Sequence, residues 1–206
     1  MKAIVFDYGG VISYPPEDLV WEEIASLGCI DTAALHRFAG QLRGEYDRGA
    51  FSCEEYYRMV LKRAGASPES LPPERIREMA MLDEDAWSYI NPDTIRLMEA
   101  VKKAGYRLGI LSNMAQGFLS WIRSEYPSVF NMSDVSVFSC ELRLIKPEKA
   151  IYEALLDRLK CEASEVVFFD DVLINVEKAR DLGIKAYVWQ TAEAARAVLR
   201  DLGVTV

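Results

Sequence analysis

The stretch Lys2-Ala3-Ile4-Val5-Phe6-Asp7-Tyr8-Gly9-Gly10-Val11-Ile12 decides how this chain is read. A short apolar run ends in a carboxylate, and a glycine pair follows almost at once. Burying a charge beside apolar residues is costly without a compensating partner, so an acid in that position points to chemistry or to metal binding. Far down the chain a second apolar run, Val166-Val167-Phe168-Phe169, ends in Asp170-Asp171. Two strand-like segments thus each end in acid.

Working outward, the same compact apolar character predicts strands at residues 2–7, 107–112, 135–138, 166–170 and 185–189. Runs without alternation suit strands covered on both faces. Helical patterns separate most of them, which favours parallel pairing through right-handed crossovers. Asn91-Pro92-Asp93 offers a cap, a first-turn proline and a first-turn acid, and Ile95, Met98 and Val101 then share one face. Lys102 and Lys103 fill its last turn and Gly105 stops it. Pro147 is expected to open a helix carrying Ile151, Leu155 and Leu159, another runs from about Asn175 to Leu182, and Thr191 caps the last. Between residues 16 and 88 no strand pattern occurs; helices are predicted near 17–27, 32–46, 52–64 and 73–81, with capping-box spacing at Ser52-Cys53-Glu54-Glu55. The expected architecture is α/β: a Rossmann-like parallel-sheet core from residues 1–15 and 89–206, with a helical domain, 16–88, inserted in it.

The bulk numbers narrow the function. With 206 residues the chain holds one full domain and a modest second module. The formal charge is −8, from 24 basic and 32 acidic residues, and no Lys/Arg block interleaves with aromatics, so nucleic acid is not an expected partner. A phosphorylated ligand would need local cations to outweigh the overall field. The single histidine, His36, reads as a surface residue, and its solitude disfavours Ser-His-Asp triads and polyhistidine zinc sites. Cys29, Cys53, Cys140 and Cys161 form no C-x-x-C pair and read as reduced thiols. No signal-peptide or membrane-spanning stretch opens the sequence. A soluble, cytoplasmic protein without a membrane partner, monomer or homodimer, is the expectation.

Open parallel sheets bind ligands at the carboxyl ends of their strands. Asp7, Ser112 and Asp170-Asp171 each stand last in, or just beyond, such a strand, and Lys146 follows the third. In that order, Phe6-Asp7-Tyr8-Gly9-Gly10-Val11-Ile12, Ile110-Leu111-Ser112-Asn113, Lys146-Pro147 and Phe169-Asp170-Asp171 with Asn175-Val176 resemble the haloacid dehalogenase superfamily, most of whose members are phosphohydrolases. The resemblance implies that the helical insertion is that family's variable cap. It implies that Asp7 attacks phosphorus and forms an aspartyl-phosphate. Mg²⁺ would be held by Asp7, the Gly9 carbonyl and Asp171. Ser112, Asn113 and the Tyr8–Gly9 backbone would bind the phosphoryl group, Lys146 would offset charge, and Asp170 and Asn175 would support. The partner so implied is a small phosphorylated molecule, sugar phosphate-like.

One departure stands out. Most phosphatases of this family carry a second aspartate two residues after the nucleophile, where this chain has Gly9. A general acid or base is worth about 10²–10⁴ in rate, small beside the roughly 10²¹ reached in phosphate-ester hydrolysis. Its loss would favour good leaving groups, such as an anomeric sugar phosphate or an acyl phosphate. Three alternatives accompany this reading. A metal-independent 2-haloacid dehalogenase also lacks the second aspartate, but there Asp170-Asp171 would repel Asp7. A phosphonate hydrolase would need a cap lysine, for which Lys62 is a candidate. A catalytically degenerate binding or regulatory protein rests on Gly9 alone. Tyr14, Trp21, Tyr46, Arg48, Phe51 and Tyr57, in or next to the insertion, are possible substrate contacts, though aromatics at helical spacing are usually core.

Overall fold

The computed structural model describes residues 1–206. Strands β1 (Ala3–Phe6), β2 (Arg107–Ser112), β3 (Val135–Phe138), β4 (Val166–Asp170) and β5 (Lys185–Val188) form one sheet in the order β3-β2-β1-β4-β5. Every pairing is parallel, with Phe6 opposite Ile110 on one side and Phe169 on the other. All four residues of β1 are fully buried, as a run apolar on both faces requires.

Between β1 and β2 come α1 (Asp18–Leu27), α2 (Thr32–Asp47), α3 (Cys53–Arg63), α4 (Pro73–Ala86) and α5 (Pro92–Lys103). After β2 follow α6 (Gln116–Glu125) and α7 (Pro127–Met132), neither of which the sequence reading placed. The short α8 (Ser139–Leu142) leaves β3, α9 (Lys149–Leu159) leads to β4, α10 (Leu173–Asp181) joins β4 to β5, and α11 (Ala192–Asp201) closes the chain. The expected caps form: Asn91 Oδ1 accepts from the Asp93 N–H and Thr191 Oγ1 from the Ala194 N–H. Ser52 and Glu55 bond reciprocally as a capping box. Pro147, expected to open a helix, lies before α9, whose N-cap is Glu148. The helix expected to start at Asn175 begins two residues earlier, at Leu173.

The strand side chains divide between two apolar clusters. Ile4, Phe6, Ile110 and Phe169 meet α5, α6 and α11 on one face. Val5, Val137 and Phe168 meet Ile151, Leu155 and Val176 of α9 and α10 on the other. A third cluster belongs to α1–α4, where Ile24, Tyr56, Val60, Ile76 and Met79 pack on one another rather than on the sheet. The inserted helices are tied down where the chain leaves and rejoins the sheet layer. Ser13 and Ile90 form an antiparallel bridge there, with the Tyr14 N–H on the Tyr89 carbonyl and the Asn91 N–H on the Ile12 carbonyl. No helix is long and apolar enough to cross a membrane.

Leu155 of α9 is fully buried against the sheet. Leu155→Ala is expected to lower unfolding free energy by about 2–5 kcal/mol, measured by urea denaturation. A loss under half a kcal/mol would contradict the packing described.

Candidate active site

The carboxyl ends of β1 and β4 deliver the acids, and that of β2 delivers Ser112, to one edge. Asp7 follows β1 and anchors its N–H on the Phe169 carbonyl at 2.9 Å. The chain then turns tightly over Tyr8–Ile12, with Gly10 at φ +71°, a conformation glycine adopts at little cost. A Cβ on Gly10 would also run into the Asp171 carboxyl, so that acid lies directly against the turn.

Lys146 joins the parts. Its Nζ lies 2.7 Å from Asp7 Oδ2 and 2.6 Å from Asp170 Oδ2, and also donates to the Leu111 carbonyl at 3.1 Å. Lys146 is 3 % exposed, Asp7 7 % and Asp170 not at all. Its backbone is held by Asn113, whose side chain accepts from the Lys146 N–H at 2.8 Å and donates to its carbonyl at 3.0 Å. That side chain, expected at the phosphate, is therefore engaged with Lys146. Asn175 sits inside α10, and its amide donates to both Asp170 oxygens at 3.1 and 3.2 Å. Asp170 Oδ1 also accepts from the Val172 N–H. Asp170 is thus fully bonded within the protein.

Tyr8 turns its ring into the core, stacked on Phe130 and edge-on to Phe118, so its backbone alone faces the site. Its N–H bonds Asp7 Oδ1 at 2.7 Å. Ser112 is buried at the end of β2 and lines the same cleft as Asp7, Lys146 and Asp171.

A carboxylate oxygen each from Asp7, Asp170 and Asp171 lies within 4.8 Å of the others. Three acids face one ammonium. Burial pushes the Asp7 carboxyl up to about 7 against the pull of Lys146, with Asp170 and Asp171 adding to the rise. Asp171 is raised in the same direction, by partial desolvation and by Asp170. Burial opposes the Lys146 charge, but Asp7 and Asp170 outweigh it and hold its pKa above the ordinary lysine value. The donor set is all oxygen and over-acidic, which fits a hard divalent cation such as Mg²⁺. With Asp170 bonded to Lys146 and Asn175, the oxygens left for an ion are those of Asp7 and Asp171 and the turn carbonyls.

The cleft above these acids is a cavity of about 400 Å³ roofed by the inserted helices. Trp21 and Tyr46, two of the six possible contacts, line it; Tyr14, Arg48, Phe51 and Tyr57 do not. Lys62 is exposed on α3 and lies outside it, which removes the Schiff-base candidate. His36 is exposed as expected, yet it stands at the cavity wall, edge-on to Trp21. The sequence reading passed over an ionic group in the roof, a half-buried arginine between two buried acids. Arg43 Nε donates to Asp47 at 3.0 and 3.2 Å, and its Nη1 lies 3.8 Å from Asp83 Oδ2. Asp47 is raised by burial against Arg43's pull, and Asp47 and Asp83 raise the guanidinium pKa against its partial desolvation. The guanidinium stands 5.8 Å from the centre of the Trp87 ring, another residue of that wall. The i,i+4 spacing of Arg43 and Asp47 was the one signal available, and it matches any solvated helix face.

Lys146→Met leaves Asp7 and Asp170 buried without their cation, expected to cost about 3–5 kcal/mol. Uncompensated carboxyls have folded-state pKa values above their unfolded ones. The cost is therefore full above the folded-state values and fades as pH falls toward the unfolded carboxylate range. Urea melts in chelator should show a larger deficit at pH 8 than at pH 5; an equal deficit at both would contradict this assignment.

Comparison with known proteins agrees with this geometry. The mouse bifunctional epoxide hydrolase 2 is 34% identical over 158 residues, 73% of this chain. The chain spans only 27% of that protein's length. Phosphatase MT3486 of Mycobacterium tuberculosis is 25% identical over 204 residues, 98% of this chain and 94% of its own. Among solved structures, the HAD family enzyme bt-2542 of Bacteroides thetaiotaomicron, in complex with magnesium and inorganic phosphate, superposes with a TM-score of 0.70 at 21% identity, over 93% of this chain and 95% of its own. A family model described as haloacid dehalogenase-like hydrolase matches residues 1–183, and with the parallel sheet and its acid-lined edge it identifies the chain as a member of that hydrolase family.

Proposed function

We propose that this protein is a Mg²⁺-dependent phosphatase that hydrolyses a small phosphorylated molecule, sugar phosphate-like in size, through an aspartyl-phosphate on Asp7. The observation that carries the reading is the cluster of Asp7, Asp170 and Asp171 carboxylates around the floor of the cavity, with the one ammonium of Lys146 paired to Asp7 and Asp170.

Asp7, the Gly9 carbonyl and Asp171 are the groups that would hold the cation. Bound there, it neutralises excess carboxylate charge and the charge of a phosphoryl group, which is the larger part of what phosphoryl transfer needs. The protein's own residues supply positioning. An Asp7 oxygen forms a bond to phosphorus as the bond to the leaving oxygen breaks. Water then cleaves the acyl phosphate, releasing inorganic phosphate and restoring the carboxylate. Lys146 keeps Asp7 oriented, and Asp170 and Asn175 keep Lys146 in place. Ser112, at the floor, is within the cavity that would hold the phosphoryl oxygens. Residues 16–88 would act as the cap whose walls, Trp21, Tyr46 and Trp87 among them, contact the rest of the substrate.

The retained Asp171 favours this reading over a metal-independent dehalogenase, since without a cation it only adds repulsion beside Asp7. A panel of phosphate esters assayed with and without Mg²⁺ tests the proposal. Turnover is expected only with the metal, restored by Mg²⁺ after chelation. Undiminished turnover in excess chelator, or halide release from 2-haloacids with no phosphate released from any ester, would overturn it.

Asp7→Asn is expected to reduce turnover at least 10⁴-fold, because the nucleophile itself is lost, while thermal unfolding shows the fold retained. Activity near wild type would exclude Asp7 as nucleophile.

A further inference from the structure

The backbone does not require glycine at position 9. Its φ of −65° and ψ of 132° are open to any L-residue. What limits a side chain there is space. A Cβ on Gly9 would meet the Trp87 ring, 3.0 Å from Cζ3 and 3.3 Å from Cε3. The benzo edge of that indole therefore occupies ground that a side chain two residues after Asp7 would take. Trp87 is set there firmly. It caps α4 with its N–H on the Glu84 and Asp85 carbonyls, packs on the sheet's apolar cluster, and has the Arg43 guanidinium over its ring.

We propose that Gly9 and Trp87 are a matched pair in which an aromatic wall stands where a proton-donating side chain would, and that the site, without a donor there, selects substrates by their leaving group. This deepens the phosphatase reading and rests on it. The ring edge at Gly9 is carbon and has no exchangeable proton. When the Asp7 oxygen bonds to phosphorus, the leaving oxygen departs with the electron pair and takes its proton from solvent water. Oxygens that are stable as anions are favoured under that regime. The substrate class is a phosphoryl group on an acidic oxygen: the anomeric hydroxyl of a sugar, a carboxylate or a phenol.

Aryl phosphates of graded phenol pKa, with a sugar 1-phosphate and the matching 6-phosphate, test this in wild type, G9D, W87A and G9D/W87A, all with Mg²⁺. Wild type should lose rate steeply as the leaving group becomes less acidic, and prefer the 1-phosphate. G9D should melt at lower temperature and gain nothing on the 6-phosphate. G9D/W87A should recover stability relative to G9D and raise 6-phosphate turnover roughly 10²-fold, flattening the series, while W87A keeps the wild-type slope. If G9D does not fold, recovery of folding in G9D/W87A carries the steric half; no recovery would overturn it. A shallow wild-type series, a gain from G9D alone, or one slope common to all folded variants would overturn the pairing and leave the phosphatase reading intact. No turnover of any ester by any variant would overturn both.

Discussion

The sheet edge depends on where one ammonium stands. Lys146 Nζ has three donors, and Asp7, Asp170 and the Leu111 carbonyl use them all. Each partner lies at the end of a different strand, so a single buried cation fixes the relative positions of β1, β2 and β4 beyond what their backbone ladders do. Desolvating such charges costs several kcal/mol per ion, offset only by close pairing and full hydrogen bonding. Asn113 and Asn175 supply that completion from either side.

The arrangement leaves carboxylate in excess, and the excess is directed. Asp170 is committed to Lys146, Asn175 and the Val172 N–H, whereas Asp171 lies exposed against the Gly10 turn. An acidic protein that binds phosphate must reverse its own field over a few ångströms. Here one side chain cation reaches the floor of the cleft, and under the proposed function a divalent ion would complete the reversal. The roof contributes little positive charge of its own, since Arg43 is already matched by Asp47 and Asp83.

The floor of the site was legible in the sequence because strands buried on both faces have a plain signature, and each acid stood where such a run stopped. Lys146 and Ser112 followed from the same order of elements. The helices at 116–132 escaped because Phe118, Leu119 and Ile122 offer a short apolar stripe with no side-chain cap to announce it. Asn175 marked the expected start of a helix, and only the tertiary placement of Asp170 shows what its amide holds. Of the roof, Trp21 and Tyr46 were legible as possible contacts, but its ionic group was not. Arg43 and Asp47 lie one helical turn apart and look solvated, while Asp83 and Trp87 reach them only after α3 and α4 have folded back.

Adjacent glycines in the turn differ in how freely descendants of this sequence can change them. Gly10 is barred twice, by its left-handed backbone and by Asp171, and no single compensating change elsewhere lifts both bars. Gly9 is only crowded, by a ring that a mutation at residue 87 would remove. One position is an evolutionary dead end; its neighbour stands a single second-site change from acquiring new chemistry.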